Sequence, residues 1–186
     1  MRVGIQGGKG SFNEEAFISY CNRRNIQAEI VYLYTTKKVL EALDAGQITH
    51  GQFAIYNTHA GLVRETRECL GKYTFQIIDE YSLPVSFAYM KHKDVSRDYI
   101  SYIASHEHVF LQCSCFISEK LSELSRYLGI NEDPAHLASQ LHDGSIPKEV
   151  AILGPKSLSR LYDLEIIEDK VENISGAKTH FVLVTK

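Results

Sequence analysis

Short β-branched and aromatic runs alternate with stretches of helical period from the first residues onward, and few folds accept that order. Val3-Gly4-Ile5 is a strand, Gly7 to Ser11 a turn, and Asn13 to Cys21 a helix. Ala28 to Tyr34 is a second strand, Thr36 to Ala45 a helix closed by Gly46, and Phe53 to Tyr56 a third strand. Strand, helix, strand, helix, strand predicts an α/β unit with parallel pairing. Ser11 followed by Glu14 fits a capping box, which aims the first helix's N-terminus at the glycine-rich turn.

A second α/β unit follows. Phe75 to Tyr81, Val85 to Met90, Tyr102 to Ala104, Val150 to Leu153 and Leu164 to Ile167 are extended pieces. His108 to Leu128 has a helical pattern, with Leu111, Cys115, Ile117, Leu121, Leu124 and Leu128 near one stripe. Pro134 to Leu141 and Pro155 to Tyr162 are further helices, and the last strand, from Phe181, returns to the first lobe. The expected architecture is two α/β lobes with a cleft between them. Lobe 1 takes about residues 1–78 plus 168–186 and lobe 2 about 79–167.

Charge and composition exclude whole classes of partner. A net charge of -3 and no Lys/Arg block provide no field for nucleic acid. No apolar run is long enough to span a bilayer, and Met1 to Ile5 starts a strand, not a signal peptide, so a cytoplasmic location is expected. Cys21, Cys69, Cys113 and Cys115 form no C-x-x-C pair and are expected to be free and mostly buried. His106 and His108 lack the companion ligands a metal needs, so no metal site is expected.

Four segments offer polar side chains beside strand ends, where rigid sheets present reactive groups. Gly7-Gly8-Lys9-Gly10-Ser11 before a capped helix suits an anion, through its backbone N–H groups and the helix dipole; it serves equally as a tight turn. Asn57-Thr58-His59 precedes Gly61 and is either a polar site or a turn of good turn formers. Ser105 ends a short strand and opens a helix, which makes it an N-cap. Gln112, two turns on, would share its face. Thr179-His180 opens the closing strand.

In their order and spacing these segments resemble the prephenate dehydratase family. Gly7 to Ala16 resembles its glycine-rich N-terminal segment. Tyr56-Asn57-Thr58-x-x-Gly61 resembles its Glu-Asn-Ser-x-x-Gly, and Ile78-Asp79-Glu80 its Gly-Glu strand. Ser105-His106 with Leu111-Gln112-Cys113 resembles Ser-His-Pro-Gln-Ala-Leu-x-Gln-Cys, and Asp133-Pro134-Ala135 with Ala138 resembles Asp/Ser-Thr-Ala-x-x-Ala. Tyr162-Asp163-Leu164 resembles Tyr-Gly-Leu, and Asp169, Asn173 and Thr179-His180-Phe181 resemble Asp-x-x-x-Asn-x-Thr-Arg-Phe.

The resemblance implies the two-lobed fold of type II periplasmic binding proteins and a cofactor-free lyase. That enzyme converts prephenate to phenylpyruvate, carbon dioxide and water in phenylalanine biosynthesis. It implies Thr179 as the catalytic hydroxyl. Asn57, Thr58, Ser105, Gln112, His180, Ser11 and Lys9 would be substrate ligands, and the active form a homodimer. It covers the catalytic part without the ACT domain that commonly gives phenylalanine feedback. Five letters depart: Tyr56 for Glu, Glu107-His108 for Pro-Gln, Pro134 for Thr and His180 for Arg. The last replaces a permanent bidentate clamp by a group charged only below neutral pH. Two other readings stay open: a diverged prephenate-processing decarboxylase that does not aromatise the ring, and a non-catalytic small-molecule binding domain.

Overall fold

The computed structural model describes residues 1–127 and 133–186. The chain forms two compact units, Met1–Pro84 with Ala177–Lys186, and Val85–Gly176.

The first unit opens with β1 (Arg2–Ile5), α1 (Phe12–Arg24), β2 (Glu29–Tyr32), α2 (Thr36–Asp44) and β3 (His50–Asn57), in the order expected. Then come β4 (Gly61–Leu62), α3 (Arg64–Cys69) and β5 (Gln76–Pro84). The sheet order is β2-β1-β3, then the closing strand, then β5, with β4 pairing on β3. β1 pairs parallel with both β2 and β3. Because the chain steps from β1 out to β2 and back over β1 to β3, right-handed crossovers place α1 and α2 on opposite faces. Two cores result. Phe17 and Tyr20 of α1 join Ile5, Tyr81 and Phe181 on one face, and Val39, Leu40 and Leu43 of α2 join Phe53, Val182 and Val184 on the other. The reversal point between β1 and β3 is where such sheets present ligand sites at their carboxyl edge.

The second unit comprises β6 (Phe87–His92), β7 (Tyr102–Ala104), α4 (Glu107–Gln112), α5 (Ser114–Lys120), β8 (Ser125–Arg126), α6 (Pro134–Asp143), β9 (Val150–Pro155), α7 (Ser157–Leu161) and β10 (Leu164–Asp169). Its sheet runs β10-β6-β9-β7-β8, and Ala138 and Leu141 of α6 pack on Met90 and Ile152. The final strand, β11 (Lys178–Thr185), lies between β3 and β5 of the first unit, antiparallel to both.

Three expectations need correction. The division falls at Pro84/Val85 and Gly176/Ala177, not at residues 78/79 and 167/168. β11 holds β5 in register as far as Lys178↔Pro84, while β10 pairs with β6 and Val171 N–H donates to Phe87 O. The long helix is two short ones broken at Cys113, followed by β8, whose Ser125 pairs with Tyr102. Its inward residues are Val109, Phe110, Cys113, Phe116 and Leu121, and Leu111 is 62% exposed. Leu128 lies outside the described residues. The four cysteines are free, with Cys69 and Cys113 buried, Cys21 half-buried and Cys115 exposed. Among the described residues no helix is long and apolar enough to cross a membrane.

Candidate active site

Asn57 and Thr179 come from opposite ends of the sequence and meet at the carboxyl edge of the first sheet. They are direct partners in the β3–β11 register, and Asn57 Nδ2 donates to Thr179 Oγ1 at 3.0 Å. Asn57 is buried, and its Oδ1 accepts from the backbone N–H groups of His59, at 2.9 Å, and Ala60, at 3.0 Å. Two N–H donors on Oδ1 fix which end of the amide faces Thr179. With a donor on its oxygen, the Thr179 hydroxyl has its own proton to give to a third group. Thr58 completes the junction: its N–H donates to Lys178 O at 2.9 Å, and its Oγ1 accepts from Lys178 N–H at 3.0 Å.

The glycine-rich turn is arranged as the capping pattern requires, and one of its donors, Gly10 N–H, is engaged by the chain's own carboxylate. Ser11 Oγ accepts from Glu14 N–H at 3.3 Å, and Glu14 Oε2 accepts from Gly10 N–H at 2.6 Å. Tyr32 Oη donates to the other Glu14 oxygen. Gly7 has φ +93°, and a Cβ there would lie 2.7 Å from Ser11 Oγ, so the turn needs glycine at that position. Lys9 is exposed and Ser11 buried. A parallel arrangement starts α2, where the Glu65 carboxylate accepts from Thr36 N–H at 2.5 Å and Gln6 Nε2 at 2.8 Å. Neither Glu65 nor Gln6 was singled out from the sequence. Glu65 is followed by no turn or apolar signature that could have marked it.

His180 follows Thr179 without a register shift, so its side chain leaves the opposite face of the sheet. There it pairs with Tyr56 across the ladder, ring centroids 6.0 Å apart, and its Nδ1 lies 3.2 Å from Glu80 Oε1. The structure therefore brings Asn57, Thr58 and Thr179 together and sets His180 apart from them.

In the second unit, Ser105 is buried and its Oγ donates to Leu153 O of β9 at 2.7 Å. The N-cap of α4 is His106 and not Ser105: His106 Nδ1 accepts from His108 N–H at 3.2 Å. Gln112 Nε2 donates to His108 O at 3.1 Å within its own helix. Asn173 stitches the α4–α5 break. Its Nδ2 donates to Leu111 O and Ser114 Oγ, its Oδ1 accepts from Cys115 N–H, and its own N–H donates to Gln112 O at 2.7 Å. The Cys113 thiol is pushed up to about 12, chiefly by burial, which makes it an inert packing group. Among the described residues, no three His, Cys, Asp or Glu side chains stand where they could hold a metal ion.

Two α/β units with polar groups at the carboxyl edge of a doubly wound sheet define a small-ligand fold of the type II periplasmic-binding-protein kind. The regulatory domain of OxyR2 from Vibrio vulnificus shares it, with a TM-score of 0.50 at 14% identity over 100% of this chain and 85% of that one. More specifically, the pattern of the prephenate dehydratase family matches residues 3–186, and the chain belongs to that family. A prephenate dehydratase from Arthrobacter aurescens, in complex with L-Phe, superposes with a TM-score of 0.84 at 22% identity, over 100% of this chain and 60% of that one. Curated relatives include a prephenate dehydratase from Corynebacterium glutamicum, 26% identical over 98% of this chain and 58% of its own length. Another is a bifunctional chorismate mutase/prephenate dehydratase from Enterobacter agglomerans, 23% identical over 100% of this chain and 47% of its own. The chain spans about half the length of the curated relatives it matches.

Proposed function

We propose that this chain carries out the decarboxylating dehydration of prephenate to phenylpyruvate, with Thr179 as the catalytic hydroxyl. The observation that carries the reading is the Asn57–Thr179 bond, in which Thr179 Oγ1 is the acceptor, so its own proton is not spent on Asn57. In the reaction the ring carboxylate leaves as carbon dioxide, its bonding electrons enter the ring, and the C–O bond to the ring hydroxyl breaks. One proton makes the departing oxygen water, so prephenate dianion plus a proton yields phenylpyruvate anion, carbon dioxide and water. The electrons come from the substrate itself, which is why the reading includes no cofactor. The chain's task is to hold the hydroxyl where Thr179 donates to it and to stabilise charge as it develops on that oxygen. Threonine is a weak acid, so its contribution comes from placement.

Thr58 supports the backbone that carries Thr179. Ser105 and Gln112 belong to the same reading as substrate ligands, each assayed separately by alanine substitution. The reading extends to a cytoplasmic enzyme acting as a homodimer, on family resemblance.

The test is to incubate purified protein with prephenate and follow phenylpyruvate by its alkaline ultraviolet absorbance, with Thr179→Ala and Thr179→Ser alongside. The expected result is product from the wild type, a kcat lower by ~10²-fold or more in Thr179→Ala, and partial recovery in Thr179→Ser. Prephenate consumed without phenylpyruvate would mean a non-aromatising decarboxylase. Prephenate untouched would mean a binding domain.

A further inference from the structure

We infer that His180 is a positioning residue that works with Tyr56 and Glu80 to hold the strand end carrying Thr179, and is not a ligand for a substrate carboxylate. This rests on the reading of Thr179 above and deepens it. The β3–β11 ladder shifts register between His180 and Phe181: His180 faces Tyr56, Phe181 faces Ala54, and Ile55 is left as an extra residue on β3. A bulge disrupts the ladder locally and bends the strand that carries it. Beyond it only two register pairs remain, Tyr56↔His180 and Asn57↔Thr179, before the Thr58–Lys178 bonds end the contact. So short a stretch of pairing depends on side chains to stay in place.

Those side chains lie on the face opposite Thr179. The Tyr56 and His180 rings meet edge to face at an interplanar angle of 63°. His180 Nδ1 reaches Glu80 on β5, which joins three strands across one point of the sheet. The His180 side chain is one-third exposed and Glu80 mostly exposed, and Tyr56 is the group facing His180 from β3. Tyr56 and His180 both stand where this chain differs from the motifs it resembles, and here they are one cross-strand pair. A paired exchange at one point of the ladder explains both departures together, without removing anything from the face where Thr179 sits. A coupled change of this kind makes each residue dependent on the other.

The measurement is steady-state phenylpyruvate formation by His180→Ala, His180→Gln, Tyr56→Glu, His180→Arg and the double variant Y56E/H180R. Hydrogen exchange at the amides of residues 178–180 is followed in the same proteins. Positioning predicts that His180→Ala loses about tenfold in kcat with KM for prephenate within about twofold. It predicts recovery in His180→Gln, which still donates to Glu80, and a double variant more active than either of its single parents. It also predicts faster amide exchange at Lys178 and Thr179 in His180→Ala. A carboxylate clamp would instead raise KM for prephenate about tenfold or more in His180→Ala. That result, or unchanged exchange at Lys178 and Thr179, overturns the inference. Because exchange needs no turnover, it decides the matter even if the wild type forms no phenylpyruvate, an outcome that sinks only the catalytic reading.

Discussion

Ser11 shows how one residue's hydrogen bonds settle what it is available to do. Its Oγ caps α1 through Glu14 N–H, and the Glu14 carboxylate already lies on the Gly10 N–H of the same turn. A helix start with its own anion in place has its dipole and donors largely satisfied. Ser11→Ala should therefore cost about 1 kcal/mol of stability, the usual worth of an N-cap. It should leave KM for prephenate unchanged. A chemical-denaturation midpoint beside a KM measurement checks both halves, and a several-fold rise in KM would return Ser11 to the substrate. The capping role was visible in the spacing of Ser11 and Glu14, since a cap is built from residues three apart. Glu65 was not visible, because its partners Gln6 and Thr36 lie 59 and 29 residues away.

At the level of elements, the α4–α5 junction is where local pattern and tertiary structure part. The run from His108 has the composition of one helix, yet Cys113 has φ −114° and ψ 17°, and two helices of six and seven residues result. Helices so short are marginal alone and depend on partners for their end groups. Asn173 supplies them, taking the carbonyls of Leu111 and Gln112 at the end of α4 and the N–H of Cys115 at the start of α5. Asn173→Ala should lower unfolding free energy by about 1–2 kcal/mol, the sum of a lost cap and a neutral hydrogen bond. Asn173→Asp keeps the acceptor for Cys115 N–H but loses both donors, so it should fall between. Thermal melts of the three proteins decide it, and an Ala variant as stable as wild type would refute the role. The segment before Thr179 was legible as a motif, but its use as a splint for α4 and α5 was not, because nothing local links residue 173 to residue 115.

Across the whole molecule, acid stability follows from one histidine in each unit. Burial lowers the affinity of His92 for a proton, and Lys148, Lys93 and His142 add to this against the opposing carboxylate of Asp94. His92 Nδ1 accepts from Asp94 N–H at 3.2 Å, a bond that needs the ring lone pair. His50 is lowered too, first by burial and then by the N-terminal ammonium. In both, the unfolded chain binds the proton first as pH falls below the ordinary value of 6.5. Stability is thus full above that pH and declines through the window down to the lowered folded values. A second loss follows below 3.8, where Asp79, held down by Tyr20 Oη, and Asp169, held down by Lys156, must be protonated. Melting temperature should be level from pH 8 to 7 and then fall. His92→Asn, which keeps an acceptor for Asp94 N–H without a titrating ring, should fall less steeply. Equal slopes would assign the decline to other groups.

What the amino-acid order determined by itself was everything that depends on near neighbours. The strand–helix alternation of the first unit, the cap of α1 and the polar character of the segments around Asn57 and Thr179 follow from periodicity and spacing. That the run Phe181 to Val184 is buried was also legible, since an apolar strand leaves water, but burial alone does not say beside which strands it pairs. What only the tertiary structure decided was which side chains face each other. Asn57 and Thr179 stand 122 residues apart, and their bond exists because β11 enters antiparallel beside β3 in one register. The alternation of faces along β11 then separates His180 from the threonine that precedes it. Register is a property of two distant strands pairing on a buried face, and a one-residue slip would exchange those faces.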